Sequence, residues 1–78
     1  MTLQEIAEKY GDVDEAGQPL DSAKAKWIEE NLTNDDINAW HNGDCTDHVR
    51  ELMTEAGVEC IQIWGSNTGP EPLSVNLC

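Results

Sequence analysis

Between Asp44 and Trp64 the spacing of apolar residues changes from helical to extended. Cys45, Val49, Leu52, Met53 and Ala56 recur at helical spacing and make one stripe. Gly57 stands where a helix closes in the left-handed conformation. Cys60, Ile61, Ile63 and Trp64 follow as a short β-favouring run. Opposite the stripe stands a row of acids, Asp44, Asp47, Glu51 and Glu55. At ~1.5 Å rise per residue, carboxylates four residues apart lie roughly 6 Å apart along one helix face. The stretch predicts a buried side and a charged side.

The same pattern predicts three further helices. Thr2 and Glu5 form a capping box, so the first helix should begin at once, with Leu3, Ile6, Ala7 and Tyr10 on its apolar face and Gly11 at its end. Residues 12–20 are rich in breakers and predict a loop. The second helix should start at Asp21 or Ser22 and run to about Asn31, with Ala23, Trp27 and Ile28 inward. Thr33 opens the third, with Asp36 as the reciprocal capping acid and Leu32 and Ile37 as a hydrophobic staple. Its face carries Ile37 and Trp40, and it should stop near Asn42 and Gly43. Asp44 is then expected to cap the central helix, with Asp47 at its third position.

After Trp64 comes a turn-rich connection, residues 65–72, then Leu73–Leu77 with period-two alternation. Paired with Glu59–Trp64 this makes an antiparallel hairpin. Two strands are marginal alone, so they must lie against the helices. The fold class is α+β: three to four short helices packed on a C-terminal β-hairpin. The expected core is Leu3, Ile6, Tyr10, Trp27, Ile28, Ile37, Trp40, Val49, Leu52, Met53, Ile61 and Ile63.

Length and charge narrow the function classes. At 78 residues the chain is one small acidic domain, residues 1–78. Such a chain buries only about 60–65% of its unfolded surface. Sixteen Asp and Glu stand against four Lys and Arg, a formal net charge of −12. That balance disfavours direct nucleic-acid binding, because phosphate contacts need cations. It favours a basic partner. No run approaches the ~20 apolar residues of a membrane span. The amphipathic, acidic segment MTLQEIAEKY reads as a helix and not as a signal peptide. Three cysteines, an odd number, then point to a cytoplasmic protein with reduced thiols. A Cys45–Cys60 disulfide is open to such a chain but not required.

Four patterns invite a chemical assignment. Asp12, Asp14 and Gly17 fall at the first, third and sixth positions of a calcium-binding EF-hand loop. Ala16 and Ala23 fall at the fifth and twelfth, where oxygen ligands are needed, so calcium is not expected. His41, Asp44, Cys45, Asp47 and His48 contain Cys45-x2-His48, half of a zinc site. The second paired half is missing, so no metal and no cofactor are expected. LQEIAEKYG followed by AKAKWIEENL resembles the opening of a helix-turn-helix DNA-binding motif. The turn is stretched by DVDEAGQPL, and Glu29 and Glu30 offset Lys24 and Lys26. NGDCTDHVRELMTEAGV resembles the cysteine-bearing helix of papain-like peptidases of the NlpC/P60 type. That fold places its histidine after the helix, and no histidine follows His48, so no enzyme is expected.

The acidic surface remains. The row Asp44, Asp47, Glu51 and Glu55 is joined by a second cluster, Glu5, Glu8, Asp12, Asp14 and Glu15. Regularly spaced carboxylates imitate a phosphate backbone. In size and charge the chain resembles small acidic phage-encoded inhibitors, among them anti-CRISPR and anti-restriction proteins and an inhibitor of uracil-DNA glycosylase. That resemblance carries no residue roles. The expected function is an intracellular inhibitor that occupies the nucleic-acid site of a basic protein. The alternative is an adaptor or inhibitor that docks through the hairpin and Trp64. A zinc module and a helix-turn-helix regulator rank behind, and a merely solvated surface is the plain reading of any charge row.

Overall fold

In the computed structural model, which describes residues 2–66 and 69–78, four helices precede one hairpin. The helices are α1 (Thr2–Tyr10), α2 (Asp21–Asn31), α3 (Asn34–His41) and α4 (Asp47–Ala56). The strands are β1 (Ile61–Trp64) and β2 (Ser74–Leu77), antiparallel, with Ile61 opposite Leu77 and Trp64 opposite Ser74. The expected α+β class is therefore what the chain adopts. Asn67 and Thr68 of the turn-rich connection lie outside the described residues.

Helix α2 is the centre of the packing. It lies against α1, α4 and β2, while α1 also packs on α4. The core is Ile6, Ala23, Ile28, Leu32, Ile37, Val49, Leu52, Ala56, Ile61, Ile63 and Val75. Five residues expected at its centre, Leu3, Tyr10, Trp27, Trp40 and Met53, are only half-buried. For Tyr10, Trp27 and Trp40 size is the reason, since large rings extend to the rim of so small a core; Leu3 and Met53, no larger than the buried Leu32 and Leu52, are half-buried through their place in the packing. Ala23, Ala56 and Val75 fill the interior instead.

Local chemistry sets the element ends. The Thr33 hydroxyl accepts the Asp36 N–H at 3.2 Å, and the Asp36 carboxylate accepts the Thr33 N–H at 3.0 Å, completing the capping box of α3. The staple residues Leu32 and Ile37 are both buried. Helix α4 closes on Gly57 at φ 71°. There Val58 N–H reaches Met53 O at 2.9 Å and Gly57 N–H reaches Thr54 O at 3.1 Å, the paired closure of a Schellman motif. Two expected caps are corrected. Asp21 is the first helical residue of α2, after an uncapped Leu20. Thr46, not Asp44, caps α4, its hydroxyl accepting the Val49 N–H at 3.2 Å. A hydroxyl placed directly before the first turn meets the free N–H groups, and Asp44 stands too far upstream.

The expectation of reduced thiols is also corrected. Cys60 and Cys78 form a disulfide, with Cα atoms 5.3 Å apart, and Cys45 is the free thiol. The ladder register decides this pairing. One step beyond Ile61 and Leu77, the two cysteines face each other, and Cys78 N–H donates to Cys60 O at 3.2 Å. Closing a loop of 18 residues contributes about 3 kcal/mol in the chain-entropy account.

The hairpin is docked at its other end by Gly65. Its φ is +71°, and a Cβ there would lie 2.2 Å from the Pro72 carbonyl oxygen. Gly65→Ala is expected to cost about 2 kcal/mol, from left-handed strain together with displaced backbone. Gly17, at φ +81° with open space around it, carries the conformational part alone, so Gly17→Ala should cost about 1 kcal/mol. Thermal unfolding of both variants checks the difference; equal losses would show that Pro72 moves freely.

Candidate functional site

Helix α4 divides cleanly between core and solvent. Val49, Leu52 and Ala56 are buried, whereas Asp47, Glu51 and Glu55 are exposed and follow one another every fourth residue. Three carboxylates thus stand roughly 6 Å apart along the outer face. The Arg50 guanidinium lies 3.7 Å from Asp47 on an exposed surface, a contact worth little in water. Asp44 does not continue the row. It sits in the link before the helix, where its N–H donates to Ala39 O at 2.8 Å, and it borders a surface recess with Trp40, Gly43 and Cys45. The expected row of four is a row of three, because the helix begins later than the sequence suggested.

The second acidic cluster is less uniform. Glu5 and Glu8 are exposed on α1, and Glu15 is exposed at the loop tip. Asp14 turns inward on its own loop, accepting the N–H groups of Ala16 at 2.9 Å and Gln18 at 3.0 Å. Asp12 is half-buried and accepts the Ser22 hydroxyl at 3.4 Å. These two carboxylates hold loop 11–20 in shape. An antiparallel bridge between Val13 and Pro19 closes that loop. The helix pair α1 and α2 is therefore joined by a ten-residue closed loop, not by the tight turn of a helix-turn-helix. The pair is clamped by Glu30, which accepts the Tyr10 hydroxyl and the Lys9 ammonium, the latter at 2.9 Å. The Tyr10 hydrogen bond, then Lys9, holds the Glu30 carboxyl below its ordinary range.

The constellation His41, Asp44, Cys45, Asp47, His48 is not assembled. His41 Nε2 donates to Gly65 O at 2.7 Å, tying the end of α3 to the end of β1. Cys45 precedes the helix cap, half-buried, its thiol 3.9 Å from Thr46 O. Among the described residues no three His, Cys, Asp or Glu side chains gather as a metal site.

His48 belongs to a different cluster, one that spacing alone did not reveal. Asp36 is the buried charged residue of the core, 4% exposed. Its carboxylate accepts the Thr33 N–H, the Thr46 hydroxyl at 2.6 Å and His48 Nδ1 at 2.5 Å. An ionised carboxylate only accepts, so Nδ1 carries the hydrogen. Burial pushes the Asp36 carboxyl up, but the hydrogen bonds from Thr46, His48 and Thr33 outweigh it and hold the pKa at about 2. Asp36 thus joins the start of α3 to the start of α4, and so fixes the direction in which the acidic face points. The capping box signalled Asp36. Nothing in the spacing signalled partners ten and twelve residues further on.

A second exposed surface lies on the hairpin. Gln62 and Trp64 of β1, with Ser74 and Asn76 of β2, point away from the core. This face has no charged side chain, and Trp64 is 57% exposed. No helix among the described residues is long and apolar enough to cross a membrane. No protein-family model, curated protein or solved structure matches the chain.

Proposed function

We propose that the protein is a binding inhibitor that presents the outer face of α4 to the nucleic-acid site of a basic protein. The observation that carries this is the exposed row Asp47, Glu51 and Glu55, regularly spaced on a helix whose other side is buried in the core. A rigid row of carboxylates offers acceptors to arginine and lysine side chains that otherwise hold phosphates. Glu5, Glu8 and Glu15 add to the negative field that steers the encounter. No bond is made or broken, so the function is binding and not catalysis. Its place on this reading is the cytoplasm, because the partner meets nucleic acid there; with the Cys60–Cys78 bond formed, reduced thiols no longer point to that compartment.

The test is a triple variant, Asp47→Asn, Glu51→Gln, Glu55→Gln, which keeps shape and removes three charges. A partner retained from host lysate by the wild-type protein should bind the variant at least about tenfold more weakly. Each charge-assisted contact contributes roughly 1.5–3 kcal/mol when desolvated and about 0–1 kcal/mol at a wet rim. Duplex DNA should compete with the wild-type protein, and raised salt should weaken the complex. Undiminished binding by the triple variant, or simultaneous binding of DNA and protein, would reject the proposal. The uncharged hairpin face with its exposed Trp64 supports a second reading, an adaptor surface. Binding that survives the triple change and is lost in Trp64→Ser would establish that one instead.

A further inference from the structure

We propose that the Cys60–Cys78 bond is a redox-operated clasp on the last strand. Its reduction releases β2 from β1 and α2 while the helical body keeps its fold.

Three features place the clasp. First, both cysteines are exposed, so an external thiolate reaches the sulfurs without unfolding of the core. Second, the bond closes the open end of the hairpin, immediately beyond the Ile61–Leu77 pair. Two four-residue strands do not hold together on their own in water. Of β2 only Val75 is buried, and Leu77 is half-buried. Third, most of the buried core lies in the helices, and β2 adds to it only Val75. Ile6, Ile28, Ile37, Val49 and Leu52 all belong to helices, and α2 packs directly on α1 and α4. Where β2 meets α2 a shallow recess runs along the seam, bordered by Asp21, Ser22 and Ala25 on one side and Val75 and Leu77 on the other. Lifting the strand uncovers this side of α2, where Asp21, Ser22 and Ala25 border the recess.

The chemistry is thiol–disulfide exchange with a dithiol as reductant. One thiolate of the dithiol attacks the sulfur of one cysteine and forms a mixed disulfide. The other cysteine leaves as a thiolate and takes up a proton. The second thiolate of the dithiol then closes its own disulfide and releases the first cysteine. Two electrons and two protons pass to the protein, and the dithiol becomes a cyclic disulfide. Cys45 takes no part: it is half-buried beside Trp40 and Asp44, away from the hairpin seam.

Hydrogen exchange of the full chain, read by mass spectrometry with and without dithiothreitol, tests the clasp. Cys45→Ala serves as background so that only the pair responds. On reduction the amides of Ser74–Leu77 should exchange at least about tenfold faster, and the increase should be clearly larger there than in α1 and α4, whose main contacts do not include β2. The double variant Cys60→Ser, Cys78→Ser should show the open pattern without reductant and keep its helical circular dichroism. Unchanged exchange at Ser74–Leu77 would overturn the proposal. So would loss of protection throughout, a double variant that fails to fold, or three titratable thiols in air-oxidised wild-type protein.

Discussion

Replacing Asp36 with alanine is expected to cost roughly 3–4 kcal/mol, a fall in Tm on the order of 15–25 °C for a domain of this size. The carboxylate satisfies the Thr33 N–H, the Thr46 hydroxyl and His48 Nδ1 at once. Alanine removes the acceptor shared by the first two and half of the α3 capping box. Asp36→Asn should lose less, since its amide oxygen still accepts one of these bonds. His48→Ala should lose least, because its ring is 43% exposed and water replaces it. An Asp36→Ala melting curve within about 1 kcal/mol of wild type would mean that the two helix starts are held by packing alone.

The same carboxylate makes stability depend on pH. Its folded pKa of about 2 lies below the ordinary carboxylate value. A depressed acid contributes stability that is fully present above the unfolded value near 4 and is lost as pH falls toward 2. The amount is roughly 2.5 kcal/mol. Acid unfolding of the wild type should show this loss, and Asp36→Asn should lack it.

Ile28→Ala is expected to cost about 3–4 kcal/mol. Ile28 is fully buried on α2, the helix that touches α1, α4 and β2. Truncation there removes contacts to several elements, so no single one closes the cavity by shifting. Ile28→Val, which leaves most of the volume filled, should cost about 1 kcal/mol. Urea unfolding of the pair checks both values. An alanine variant no weaker than the valine variant would show that the site collapses without cost.

Much of this architecture was written locally. Thr33 and Asp36 cap α3 because the two groups lie one turn apart in the chain. Gly57 ends α4 because glycine enters the left-handed region without a Cβ penalty. The stripe of α4 and the alternation of Ile61 and Ile63 sorted buried from exposed sides, since the period of a helix or strand is fixed by its backbone. The exposed acids of α4 were legible for the same reason.

What the tertiary structure decided concerns residues distant in sequence. The start of α4 moved from Asp44 to Thr46, where the Thr46 hydroxyl both caps the helix and donates to Asp36. That shift took Asp44 out of the acidic row. Trp27 and Trp40 were apolar by type but only half-buried by position, because the centre of a small core was filled by shorter side chains. Cys60 found Cys78 through the register of a ladder, and register depends on both strands and on the helix beneath them. His48, one half of a metal motif by spacing, became instead the third partner of a buried carboxylate. Periodicity and capping act within a few residues of chain, so the sequence determined each element and its outward face. Which elements meet, and which side chains then share a hydrogen bond, a sulfur bond or the interior, depends on long-range packing that no local spacing encodes.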